Sequence, residues 1–420
     1  MENIEIKRLE ICNDRNFYIE TVDNNYYVFY NSVRHFACKI SRLDLALFNL
    51  IYIYKDINYI LQKIDCQYQE YVKNLYEKVC NSKVLDTDIY DHNIVYQQPS
   101  TFYLHLTYKC NLGCIYCYNK EIRKDFRELN LTEWIYIINQ ILPYAERIIL
   151  TGGEPFMFNE ISNIIQYIRN KSEKIKLEII SNCMCDFLNF PDLYNVFNNI
   201  DCVTFSCDNI SNVNQTRKNF EPELFKKNIR FLRNKFPNLS ILVSSIFIKG
   251  AEEELQLIRD FCNNTNISFR TVLVIPNHIN EIDMLPSVED YKKSLFDGDS
   301  QLDSIRQYCG AGIGSCSIDP LGNVYPCQSM HYPAFCYGNI FNTNFDLLLK
   351  CDISQYIRSE LSVDNIEVCK DCNVRYICGA GCRAATYKIE GNALSYPKTL
   401  CPYYKELSKH KLKNIPLHIL

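Results

Sequence analysis

Cys110, Cys114 and Cys117 stand in a C-x3-C-x2-C spacing within the run YKCNLGCIYCYN. Cysteine thiolates are the usual ligands of iron–sulfur clusters, which normally take four. Three on one short loop would leave one iron open, and an open coordination position marks a working metal rather than a structural one. A zinc site, or three unrelated thiols, is the other reading of this spacing. Further along, TGGEP spans Thr151–Pro155. Gly152 and Gly153 would let the backbone approach a ligand closely, and Glu154 offers an acceptor. A second set of cysteines lies towards the C-terminus: Cys309, Cys316 and Cys327, then Cys369, Cys372, Cys378 and Cys382 in a C-x2-C-x5-C-x3-C run, then Cys401. Spacing alone admits two structural zinc sites or two further iron–sulfur clusters here.

Composition supports ligation over disulfides. The 22 cysteines among 420 residues are about 5% of the chain, below the ~8–10% of a disulfide scaffold. The opening MENIEIKRLEICNDRNFYIE has no apolar h-region, so no secretory signal is expected. No apolar stretch of ~18 residues exists, so no membrane span is expected. The expected compartment is the cytoplasm, where thiols stay reduced. Lys+Arg is 45 and Asp+Glu 49, with a net charge of −4 and no long run of either sign. That excludes a dedicated nucleic-acid binder. Abundant Tyr (31) and Phe (23) fit an AT-rich codon bias rather than a stacking platform.

The elements that must position these cysteines fall into three regions: 1–96, 97–290 and 291–420. In the middle one, strand patterns at Phe102–Tyr108, Arg147–Thr151, Ile175–Ser181, Cys202–Ser206, Ser240–Ile246 and Ile267–Val274 alternate with helical patterns. The helices fall near Thr132–Ala145, Asn159–Asn170, Asp192–Asn198, Pro222–Asn234 and Glu252–Asn263. Apolar strand runs such as ILVSSIFI suit a parallel sheet buried on both faces. The fold class is therefore α/β, a partial (β/α)6 TIM-like barrel, with chemistry at the C-terminal strand ends. The first cysteine loop follows the first strand and TGGEP the second. In the N-terminal region, strands at Phe17–Val22, Tyr26–Tyr30 and His35–Ile40 precede three helices. Ser41 caps the first, Asp56 the second through Ile64, and the third is Tyr68–Val79. Eleven basic against 14 acidic residues give this region −3, which disfavours a DNA-binding winged helix. The last region has many cysteines and turns and few regular patterns.

The sequence resembles a radical S-adenosylmethionine (SAM) enzyme. The family's three cysteines match Cys110, Cys114 and Cys117. Its GGEP motif, which contacts the SAM amino group, matches Gly152, Gly153, Glu154 and Pro155. The resemblance implies that SAM chelates the open iron, and that its reductive cleavage gives a 5′-deoxyadenosyl radical that abstracts a substrate hydrogen. It further places Ser181 and Asn182 at the SAM ribose. It places Arg217, downstream of Ser206–Asp208, near the SAM carboxylate, where a guanidinium suits bidentate pairing.

The C-terminal pattern resembles the SPASM extension, which binds two auxiliary clusters. By that resemblance Cys369, Cys372, Cys378 and Cys401 hold one, and Cys309, Cys327 and Cys382 the other. Cys316 is the leading fourth ligand of the latter, with Cys336 in reserve. Three [4Fe-4S] clusters and SAM are the implied cofactors. The N-terminal element order resembles the winged-helix-like RiPP recognition element (RiPP: ribosomally made, post-translationally modified peptide). The third strand and third helix would form its leader-binding groove. Together these imply a radical SAM/SPASM oxidoreductase that matures a precursor peptide bound by residues 1–96, with an electron donor such as flavodoxin or ferredoxin. The expected product is a thioether, as in sactipeptides or ranthipeptides; carbon–carbon or ether crosslinking is the alternative. A sulfatase maturase is less favoured. Its relatives place an Asp base after the cysteine matching Cys327, and here Gln328 stands there, whose amide takes no proton. A non-catalytic electron carrier is the reading from another class. No general base is identified. Cys183, Cys185, Cys202, Cys207 and Cys262 are read as core.

Overall fold

Alternation in three short strands decides how the N-terminal region sits. The computed structural model describes residues 9–23, 25–34, 36–87, 98–120, 127–211, 216–295 and 306–414. His35 and the expected boundary at 96 lie outside the described residues. β1 (Phe17–Thr21), β2 (Tyr26–Asn31) and β3 (Phe36–Ser41) form an antiparallel sheet in that order. α1 (Arg42–Tyr54), α2 (Ile57–Leu61) and α3 (Gln69–Ser82) follow. Ser41 accepts from the Asp44 N–H and completes a capping box, the expected start signal. Asp56 caps α2, which ends at Leu61 rather than Ile64. Phe17, Phe29, Cys38 and Ile40 face Phe48, Val72 and Leu75 of the helices. Tyr18, Val28 and Tyr30, one residue out of phase, pack instead on Val374, Ile377 and Leu412. Period-two alternation thus gives the sheet two buried faces, one against its own helices and one against the C-terminal region.

The middle region builds the barrel: β4 (Thr101–Thr107), β5 (Gly113–Cys114), α4 (Leu131–Ile141), β6 (Arg147–Gly152), α5 (Ile161–Lys171), β7 (Lys176–Ser181), α6 (Leu193–Phe197), β8 (Cys202–Ser206), β9 (Arg217–Lys218), α7 (Pro222–Lys235), β10 (Ser240–Phe247), α8 (Glu252–Asn264) and β11 (Ser268–Leu273). β4, β6, β7, β8, β10 and β11 pair in that order, all parallel. Phe102, Leu104 and Leu106 pack into one core with Trp134, Ile137 and Ile138.

The C-terminal region contains α9 (Val288–Ser294), β12 (Ser315–Ile318), β13 (Asn323–Tyr325), β14 (Gly338–Asn339), α10 (Phe345–Leu348), α11 (Asp352–Glu360), α12 (Arg375–Cys378), α13 (Arg383–Glu390) and α14 (Cys401–Lys413). It is more regular than its sequence suggests. β12 runs parallel beside β4, with Cys316 opposite Phe102, and β13 and β14 extend the sheet to nine strands. At the other sheet edge, Phe247 and Val274 are covered by Ala385, Leu400 and Tyr403. The C-terminal region therefore flanks the barrel at both open sides. Among the described residues, no helix is long and apolar enough to cross a membrane.

Candidate active site

β4 delivers the first cysteine loop, and two neighbouring strand ends hold it. β5, inside the loop, pairs antiparallel with β9, placing Cys114 opposite Arg217. The Ile115 N–H donates to the Thr216 carbonyl (3.0 Å). From the β6 end, the Gly153 N–H donates to the Thr107 carbonyl (2.7 Å) and the Glu154 N–H to the Lys109 carbonyl (2.8 Å). A Cβ on Gly152 would collide with the Thr107 carbonyl, and one on Gly153 with the Lys109 carbonyl. Gly152 also has φ of 133°, in the region that favours glycine. The close approach the two glycines permit is thus to the cysteine loop itself.

Glu154 is buried and fully engaged. It accepts from the Asn182 N–H (2.7 Å), the Ser181 hydroxyl (2.9 Å) and the Phe156 N–H (3.2 Å). Burial pushes its carboxyl up to about 7, and these donors oppose the shift. The carboxyl fastens the end of β6 to the end of β7, and Pro155 opens the helical turn that follows. Asn182 Nδ2 donates to Asn111 Oδ1 (2.7 Å) and points at Cys110 Sγ (3.7 Å).

Arg217 is buried and paired with Asp208 through Nε (3.0 Å) and Nη2 (3.3 Å). Its Nη1 reaches Cys114 Sγ at 3.7 Å, and its guanidinium lies 5.6 Å from the Tyr116 ring centre. Tyr116 donates its hydroxyl hydrogen to Asp208, which also accepts from the Ile246 N–H (2.8 Å). Burial pushes the Cys114 thiol up, and the Arg217 charge pulls it back.

Cys110, Cys114, Cys117, Gly152, Gly153, Ser181, Asn182 and Arg217 all line a cavity of about 360 Å³. Its opposite wall comes from the C-terminal region: Gln328, Ser329, Ala384 and Lys388. Glu154 and Pro155 support this cavity from behind. Lys388 donates to Asn277 Oδ1 (3.0 Å), and its ammonium lies 5.8 Å from the Tyr118 ring centre. Burial pushes the Lys388 ammonium down, and Cys382, Cys117, Glu281 and Cys327 oppose that shift.

The other cysteines form two gatherings. Cys369, Cys372, Cys378 and Cys401 line a second cavity of about 400 Å³, walled on one side by Cys12–Arg15 of the N-terminal region. Cys309, Cys327 and Cys382 interact electrostatically with one another. Burial pushes the Cys378 thiol up to about 12 and Cys369 to about 11. The structure does not bring Cys316 to either gathering. It is fully buried on β12, and the alternation that turns Ser317 towards His331 (2.8 Å) turns Cys316 into the core. Its charged neighbour is Arg358. Cys336 neighbours Tyr325 and Asp319 instead.

These residues have a recognisable counterpart. Residues 104–262 match the Radical SAM superfamily, and residues 309–373 match SPASM, an iron–sulfur cluster-binding domain. The chain carries a radical SAM domain followed by a SPASM domain. The radical SAM cyclopropyl synthase TigE of Paramaledivibacter caminithermalis is 23% identical over 363 residues, 76% of this chain and 75% of TigE. The mycofactocin maturase MftC of Mycolicibacterium smegmatis is 23% identical over 70% of this chain and 81% of MftC. Streptococcus suis SuiB bound to precursor peptide SuiA shares the fold, with a TM-score of 0.57 at 15% identity over 92% of this chain and 99% of SuiB.

The donor sets of this radical SAM/SPASM chain suit clusters. Each gathering is made of cysteine side chains, the usual ligands of iron–sulfur clusters. The loop sulfurs also receive N–H groups from Leu112 (3.4 Å), Asn182 and Arg217, which favours the thiolate form. Cys183, Cys207 and Cys262 are fully buried, as expected of core thiols, and Cys185 and Cys202 pack partly exposed. Sequence reasoning missed Lys388 and Ser329 in the cavity wall. Only the fold brings them opposite Cys117, and no local pattern distinguishes them.

Proposed function

We propose that this radical SAM/SPASM enzyme is a peptide maturase that forms a thioether from a cysteine sulfur to a carbon of a precursor peptide. One observation carries the reading: a single cavity has the three-cysteine loop on one wall and the segment beside Cys327 and Cys382 on the other. A substrate residue held there would lie between the residues that would hold SAM and its cluster and those that would hold an electron-accepting cluster. Cys110, Cys114 and Cys117 would hold the first of three [4Fe-4S] clusters, with Gly152, Gly153, Ser181, Asn182 and Arg217 around SAM. Cys309, Cys327 and Cys382 would hold the inner auxiliary cluster and Cys369, Cys372, Cys378 and Cys401 the outer one. When bound, SAM and the first cluster supply the radical that abstracts hydrogen. The chain's own residues position the reactants. Arg217, fixed by Asp208, presents its charge beside Cys114; Lys388 and Gln328 line the substrate side.

The balance is simple. Joining S–H to C–H removes two hydrogens. One would leave as a hydrogen atom, taken by the radical that bound SAM supplies once an external donor has given one electron. The other would leave as a proton together with one electron, which a cluster held by Cys309, Cys327 and Cys382 would be placed to accept. The SPASM gathering beside the cavity, the maturase MftC among the relatives and the SuiB fold support this reading. The N-terminal sheet supports a leader site in residues 1–96, since β3 pairs with β2 alone among the described strands. Its free edge can add a peptide strand.

A second reading is carbon–carbon bond formation, favoured by the relative named as a cyclopropyl synthase. Anaerobic reaction of the cluster-loaded enzyme with a reductant, SAM and a candidate precursor tests both. Loss of two hydrogens per crosslink and loss of a cysteine that iodoacetamide can alkylate support the thioether. Loss of two hydrogens with every cysteine still alkylatable supports the carbon–carbon reading. SAM cleavage with an unchanged peptide contradicts both for that precursor.

A further inference from the structure

Arg383 follows Cys382 at the start of α13 and is fully buried. Its Nη1 donates to the Ala393 carbonyl (2.9 Å) and the Ser395 carbonyl (3.0 Å). Its Nη2 donates to the Ala380 carbonyl and to Thr386 Oγ1 (3.0 Å). Nε has no partner. Every acceptor is neutral, and among the described residues no carboxylate pairs with it. Buried Arg217 makes the contrast, since Asp208 neutralises it at 3.0 Å.

A buried charge without a counter-charge is costly, as the strong destabilisation on removing one partner of a buried pair shows. An anion close to Arg383 would offset that cost. Arg383 directly follows Cys382, and the Ala380 carbonyl it holds belongs to the residue that lines the cavity of the outer four cysteines, two positions past Cys378; the charges that act on it include those of Cys309, Cys369, Tyr404 and Cys382. Cys309 and Cys382 belong to the inner gathering, and Cys369 belongs to the outer one. Three or four thiolates around a doubly positive iron–sulfur core leave a net anionic cluster.

We propose that Arg383 is the shared counter-ion of the two auxiliary clusters, set between them to hold both and to raise both reduction potentials. This rests on the cluster reading given above. A nearby positive charge favours the reduced, more negative state, and net charge is one of the levers that set cluster potential. The neutral acceptors fix the guanidinium without neutralising it, so its charge remains available to the clusters. An electron taken up at the inner site would find the outer site held at a similar level by the same cation.

The test is a redox titration followed by electron paramagnetic resonance on the full-length, cluster-loaded protein, with iron content measured in parallel. Wild type, Arg383→Gln and Arg383→Lys are compared. Arg383→Gln should lower both auxiliary midpoint potentials by at least a tenfold shift in the one-electron equilibrium, ~59 mV. The three-cysteine cluster should move far less, and Arg383→Lys should restore most of the difference. If Arg383→Gln cannot hold its clusters, iron lost from both auxiliary sites with the first cluster retained supports the shared role. Iron lost from one auxiliary site only contradicts it. Fully loaded Arg383→Gln with unchanged auxiliary potentials also overturns it, while leaving the cluster reading intact. A wild-type protein with no auxiliary signals and only the first cluster's iron sinks both.

Discussion

The barrel and the C-terminal region hold their cysteines in opposite ways. In the barrel, six parallel strands over a continuous apolar core deliver the cysteine loop. Gly152, Gly153 and the β5–β9 pair then clip it in place. In the C-terminal region the gathered cysteines lie in turns and at the ends of helices, such as Cys378 at the end of α12 and Cys401 at the start of α14. The outer four surround a cavity against which the N-terminal sheet is also seated. In the first case the fold makes the site. In the second the bound cluster should help make the fold, as metals do in small metallo-domains.

The largest expected effect breaks this comparison directly. Cys378→Ala should lose one cluster, destabilise the C-terminal region and loosen the N-terminal sheet, read as faster amide exchange at both Tyr30 and Ile377. Cys114→Ala should abolish SAM cleavage and leave exchange in β4 and β6 unchanged. Equal destabilisation by the two variants would erase the distinction. Next comes Asp208→Asn, which strips the carboxylate from buried Arg217 and should cost ~3–5 kcal/mol in denaturant unfolding of the barrel. A cost no greater than that of a surface substitution would show the pair to be unimportant. Gly153→Ala forces a Cβ against the Lys109 carbonyl. It should cost ~1–3 kcal/mol and slow SAM cleavage while auxiliary iron stays bound. Unchanged SAM cleavage would show that the loop tolerates displacement. Cys316→Ala should be the mildest, at about 1 kcal/mol for a small buried side chain with iron content intact. Loss of one cluster's iron would return Cys316 to the ligand set.

The barrel was legible because each strand is a short apolar run between helical periods. Cys202–Ser206 coincides residue for residue with β8, and Ser240–Ile246 falls one residue short of β10. β12 was not legible. Four residues, SCSI, carry no pattern of their own, and their partners at Thr101–Leu104 are distant in the chain. That strand also decides the fate of Cys316, whose spacing suggested a ligand and whose strand position makes it core. The two gatherings of cysteines were legible in outline through spacing and resemblance. The Asp208–Arg217 pair, the orientation of Lys388 and the isolation of Arg383 were not. Each depends on which loops meet at the strand ends. Gly152 and Gly153 were readable as glycines of necessity, but the backbone they accommodate is visible only in the fold.

Hydrogen abstraction from a bound peptide is the central claim, and label transfer tests it most directly. A precursor deuterated at the carbon to be crosslinked is incubated anaerobically with the cluster-loaded enzyme, a reductant and SAM. Mass spectrometry of the 5′-deoxyadenosine should then show deuterium gained from the peptide, in step with crosslink formed. 5′-Deoxyadenosine that stays unlabelled while the labelled carbon becomes crosslinked would contradict the account.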